Sequence, residues 1–124
     1  MFLRSMSGVV KSDSFFGEPG DLMAWGYNGN GQLGTAVAGD KSLPTEVAGE
    51  ALTHQFTSIA AGYYHSLAID SDGKLWAWGN NGNGQLGTAT GDKSLPTEVA
   101  GEALTHQFTS IASGYLHSLG IIAS

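Results

Sequence analysis

AAGYYHSLAIDSDGKLWAWGNNGNGQLGT, Ala60 to Thr88, reads as two short strands joined by a tight turn and followed by a glycine-rich loop. HSLAID alternates polar and apolar residues, and KLWAWG puts Trp76 and Trp78 on one face with Leu75 and Ala77 on the other. Asp72-Gly73 between the two runs, and Asn81-Gly82 and Asn83-Gly84 after them, tolerate the positive φ of hairpin turns. On the N-terminal side, FTSIAAG (Phe56 to Gly62) is another β-prone run. On the C-terminal side, PTEVAG (Pro96 to Gly101) makes a fourth strand whose leading proline suits a strand start or a sheet edge. Only GEALTHQ, Gly101 to Gln107, has the composition of a helical turn, and it is short.

This unit is repeated. GDKSLPTEVAGEALTHQFTSIA at Gly39 to Ala60 returns unchanged at Gly91 to Ala112, a shift of 52 residues (39 to 91), and NGNGQLGT at Asn28 returns at Asn81, a shift of 53 (28 to 81). The extra residue lies in the linker, TAVAGD in one copy and TATGD in the other. Such near-identical units bury their apolar faces against one another, not alone. Four short strands per unit is the footprint of a β-propeller blade. The expected fold is therefore all-β: blades of four antiparallel strands, two blades per chain.

The phase of the repeat matters as much as its content. Residues 21–124 enter with the third and fourth strands of a blade (LMAWG, PTEV), run through one full set, and leave with the first and second (FTSIASG, HSLGII). This module therefore contains a split blade. Residues 1–20 are set apart: aligned at the same offset they have lost the His-Ser pair, so they are either decayed strands or a tail displaced by a better copy, and displacement is favoured because HSLGI keeps the motif. Two wedges cannot close a circle. A four-stranded face covers about 350 Å², worth at most about 9 kcal/mol when buried, a large share of the roughly 5 to 15 kcal/mol that holds a domain together. Copies are expected to complete one another head to tail into a ring. An even count gives six or eight blades; the homotrimer is favoured and the tetramer is second.

The order of elements, a glycine, His-Ser, an apolar strand, a Gly-containing turn, a Trp-Gly strand end and a GQLG loop, resembles the repeat of the regulator of chromosome condensation family. The resemblance runs from Asp21 to about Ile121. It implies a β-propeller, usually of seven blades in one chain, and the two repeats here depart from that number. Among the family is a plant ultraviolet-B photoreceptor with Trp and Arg before the histidine. This chain reads Gly62-Tyr63-Tyr64-His65-Ser66, so light sensing does not carry over. Members acting as guanine-nucleotide exchange factors or protein inhibitors use surfaces drawn from many dissimilar blades, which near-identical blades do not supply.

Composition narrows the function. Eleven acidic against five basic residues give a net charge of −6, with Lys11, Lys41, Lys74 and Lys93 scattered, so no basic stripe is present to meet nucleic acid. No apolar run approaches the length of a bilayer span, and MFLRSMSGVV is poor material for a signal peptide. With no cysteine, disulfides and thiolate metal sites are excluded. GxGxxG is spelled twice after a strand, by Gly29, Gly31 and Gly34 and by Gly82, Gly84 and Gly87, but a nucleotide fold needs a helix next and TAVAGDKSLP is not one. Asp70, Asp72 and Gly73 open like a calcium loop, yet the twelfth position is Asn81 and not glutamate. His65 and Ser66 are strand neighbours pointing to opposite faces, so they form no local base and nucleophile.

No catalytic residue, cofactor or metal ligand is therefore expected. Trp25, Trp76, Trp78, His65, His117, Leu67 and Leu119 are assigned to the blade core, the histidines bonding the backbone between strands. Tyr63, Tyr64 and Tyr115 with Asn28, Asn30, Asn81 and Asn83 are the candidates to face a ligand. Two function classes follow: a structural or interaction module whose main partner is itself, within a larger assembly such as a viral or surface structure, or a lectin-like propeller with one small-ligand pocket per repeat.

Overall fold

Asp70 shows how the sequence sets the strands. Its buried carboxylate accepts the backbone N–H groups of Asp72 and Lys74, both at 2.9 Å, and the Trp76 indole N–H at 2.9 Å. The turn and the following strand are thereby fixed by one side chain.

The computed structural model describes residues 19–123. Among these residues eight strands occur in order: β1 (Met23–Gly26), β2 (Lys41–Glu46), β3 (Phe56–Ala61), β4 (His65–Asp70), β5 (Leu75–Gly79), β6 (Lys93–Glu98), β7 (Phe108–Ser113) and β8 (Ser118–Ile122). GEALT forms a 3-10 turn in each repeat, at Gly49–Thr53 and Gly101–Thr105. Three antiparallel sheets result. The middle sheet has the order β3-β4-β5-β6, while β1-β2 and β7-β8 are separate pairs. The chain thus holds the outer half of one blade, a whole blade, and the inner half of another. Pro96 lies on β6, an edge strand, where a missing N–H removes no ladder bond.

Alternation along β4 and β5 loads both faces of the middle blade. On one face Phe56, Ala68, Trp76 and Trp78 meet Leu22 and Val47, which flank the first sheet just before β1 and just after β2. On the other, Leu67, Ala77 and Leu86 meet Ile111 of β7. Sheet junctions also repeat in backbone bonds: Phe56 N–H donates to Gly20 O at 2.7 Å and Phe108 N–H to Gly73 O at 2.8 Å. Packing between the second and third sheets concentrates where β7 lies against β3 and β4, which makes the first strand of each blade the inner one.

Candidate functional site

Each GxxHS segment folds so that the glycine carries the histidine. Gly62 N–H donates to His65 O at 2.8 Å, and the imidazole lies where a Gly62 Cβ would be; Gly114 and His117 repeat the arrangement, with Gly114 N–H to His117 O at 2.9 Å. Any side chain at these glycines would displace the ring.

His65 and its neighbour Ser66 do not meet. Instead His65 Nε2 lies 3.0 Å from the hydroxyl of Ser118 in the next sheet, and Ser118 Oγ donates to the Gln85 carbonyl at 2.8 Å. With its one proton committed to Gln85, Ser118 accepts, so His65 carries its proton on Nε2. Ser66 repeats the outer step, donating to the Gln32 carbonyl at 2.6 Å. The expected backbone bond between strands is thus corrected: the histidine bonds the serine hydroxyl of the following blade. Geometry rules out acyl chemistry by this pair, because the hydroxyl proton points away from the base.

Burial holds the His65 pKa below the usual histidine value. The unfolded chain then takes up a proton near pH 6.5 that the folded chain resists, so stability is full above that pH and falls as pH drops through it. A thermal midpoint lower at pH 5.5 than at pH 7.5, with a shallower dependence in His65→Gln, is the expected result. A midpoint that rises on acidification would contradict the burial.

A groove of about 340 Å³ runs between β1 and the β3–β4 side of the middle blade, lined by Met23, Trp25, Leu33, Ile59, Tyr63 and Leu67 among others. A second, of about 360 Å³, lies between the middle blade and β8, with Leu67, Gly87, Val99 and Leu119 in its wall. Among the described residues, the first lies where no inner strands pair with the half-blade β1-β2, and the second where no outer strands pair with β7-β8.

The same order of elements is matched by the pattern of the regulator of chromosome condensation (RCC1) repeat over residues 19–69 and 72–121, and by a shorter pattern of that repeat over 56–85. The chain belongs to the RCC1 repeat family. It is 35% identical over 114 residues to the mitochondrial RCC1 domain-containing protein RUG3 of Arabidopsis thaliana, covering 86% of this chain and 25% of that protein. Similarity to the Arabidopsis ultraviolet-B receptor UVR8 is 33% over 105 residues, 82% of this chain and 23% of the receptor. Human WBSCR16 superposes with a TM-score of 0.75 at 23% identity, over 84% of this chain and 26% of that one. The chain thus spans about a quarter of the length of these relatives, and the likeness to WBSCR16 establishes the propeller fold.

Within this RCC1 framework the assigned core residues divide by position. His65, Leu67, Trp76 and Trp78 lie in the middle blade with 1%, 2%, 6% and 2% exposure. Trp25, His117 and Leu119 do not lie in a core: Trp25 is 58% and Leu119 65% exposed, and His117 is also exposed. The reason is coverage, since the middle blade has a sheet on each face and the half-blades do not.

The ligand-facing candidates divide too. Asn28 is buried, its Oδ1 accepting Leu33 N–H at 3.0 Å and its Nδ2 donating to Gly39 O at 3.1 Å; Asn81 Oδ1 likewise accepts Leu86 N–H at 3.0 Å. Both organise the GQLG loop; Asn28 is buried away from a ligand, whereas Asn81 is half-buried. Asn30 and Asn83 donate backbone N–H to Gln32 and Gln85 Oε1, each at 2.8 Å. Tyr63, Tyr64 and Tyr115 do come together, with Tyr63 centroids 4.4 Å from each of the others, and Tyr27 joins at 6.4 Å from Tyr64. Burial and the neighbouring phenols raise the Tyr64 pKa. Tyr27, Gln32 and Gln85 were missed from sequence; the repeated GQLG was the available signal for the glutamines.

Proposed function

We propose that the chain is a non-enzymatic interaction module that builds a propeller ring from copies of itself, three copies and six blades being the favoured form. The observation that carries this is the complementarity of the two unfinished sheets: β1-β2 is the half a blade lacks after β7-β8. Each ends in a strand edge that no other described strand pairs, which is a template for strand addition. Period-two alternation points the N–H groups of Met23 and Trp25 away from β2, and those of Ser118 and Gly120 away from β7. Amide hydrogen exchange at these four positions is expected to slow as protein concentration rises. Rates independent of concentration would count against completion by a second copy.

A lectin-like reading has one observation in its favour, the cluster of Tyr27, Tyr63 and Tyr115, each 56% to 58% exposed. Stacking on a sugar ring is what such a platform could do. Binding of defined sugars on a glycan array, lost in Tyr63→Ala, would favour it; silence across the array would remove it.

A further inference from the structure

Resting on the self-assembly reading, we infer that the shared blade forms in a single register: β8 of one copy lies antiparallel to β1 of the next with Leu119 opposite Ala24 and Ile121 opposite Leu22. The repeat supplies the template. In the middle blade Leu67 stands opposite Ala77 and Ile69 opposite Leu75, and the shifts of 52 and 53 residues carry these onto Leu119, Ala24, Ile121 and Leu22.

Four features converge on this pairing. Leu67 packs with Ala77, Leu86 and, from the next sheet, Ile111. The corresponding nest is Ala24, Leu33 and Ile59, all in the wall of the first groove, with Ile59 itself 65% exposed. The residue that belongs in it, Leu119, is 65% exposed in the single chain.

The indole of Trp78 lies on Gly34 and Val47, at 2.8 Å from where a Gly34 Cβ would be. Gly87 and Val99 make the same seat in the second groove, and no indole of the chain occupies it. Trp25 of the next copy, the counterpart of Trp78, fits there. A single junction therefore fills both grooves.

The polar relay also has one member waiting. Ser66 donates to Gln32 as Ser118 does to Gln85, but among the described residues only Ser118 receives an imidazole. His117 of the preceding copy is the counterpart of His65 and supplies it. Finally, the Asp70–Trp76 hydrogen bond has Ile122 and Met23 as its counterparts. A polar pair has become an apolar pair at both ends of the chain together, which suits β8 and β1 to each other.

The chain's own first residues make a poorer occupant. At the same offset, Val9 stands for Gly62, Ser12 for His65, Asp13 for Ser66 and Ser14 for Leu67. The imidazole seat, the relay and the leucine are all gone from that segment, whose structure lies outside the described residues.

Absence of native cysteine permits a direct test. Asp70 N–H bonds Lys74 O and Asn80 N–H bonds Tyr64 O, so by alternation Leu67 and Ala77 form a non-hydrogen-bonded pair. Such pairs sit about 4.5 Å apart at Cα, inside the disulfide range of about 4.4 to 6.8 Å. Leu119→Cys with Ala24→Cys, mildly oxidised, is expected to give reducible covalent dimers and trimers. The slipped pair Gly120→Cys with Ala24→Cys should give several-fold less. Ile121→Cys with Leu22→Cys reads the same register if the first pair assembles poorly. An oligomeric protein in which neither pair cross-links, or in which the slipped pair matches them, overturns the register while leaving self-assembly standing. A wild-type protein that stays monomeric overturns both. An intramolecular bond between Ser14→Cys and Ala24→Cys assigns the groove to the N-terminal segment and also overturns the inference.

Discussion

Replacing Trp78 by Ala is expected to lower stability by about 3 to 5 kcal/mol, the range for emptying a large buried aromatic site. The indole is 2% exposed, sits among Leu22, Val47, Phe56 and Ala68, and bridges the first two sheets. Removing it leaves a void between two β-layers that cannot collapse without moving the backbone at Gly34. Urea unfolding at one fixed protein concentration measures the loss, since association would make the midpoint depend on concentration. Trp25→Ala is the informative companion: its 58% exposure predicts little effect on the isolated chain and a loss of association. A loss below 1 kcal/mol for Trp78→Ala would contradict the packing described.

Ending the chain after Gln107 is expected to abolish both the fold's cooperativity and its association. The cut removes β7 and β8. Ile111 would no longer cover Leu67, Ala77 and Leu86, so one whole face of the middle blade becomes wet, and His65 loses its Ser118 partner. The same hairpin is the piece proposed to complete the neighbouring copy, so the truncated protein should run as a monomer or aggregate and lose its sharp unfolding transition. A truncated form with the mass and midpoint of the intact protein would contradict the account.

The strands were legible because alternation and turn chemistry are local: Trp76 and Trp78 had to share a face, and Asp72-Gly73 had to turn. The phase of the blades was legible as well, since identical segments mark equivalent positions. Contacts between blades were not. His65 and Ser118 lie 53 residues apart (65 to 118), and nothing near either one in sequence shows that the imidazole reaches the next sheet's hydroxyl. Asn28 misled for a related reason, because an asparagine that bonds a backbone N–H five residues on looks in sequence like one offered to solvent. The exposure of Trp25 and Leu119 is a different lesson: equivalence under the repeat fixes what a residue is built to touch, and the chain itself determines whether that neighbour is present.

The mass of the 124-residue protein in solution tests the central claim most directly. Native mass spectrometry should find three copies, about three times 12.8 kDa, persisting at micromolar concentration. A stable, soluble particle of 12.8 kDa at every concentration would contradict it.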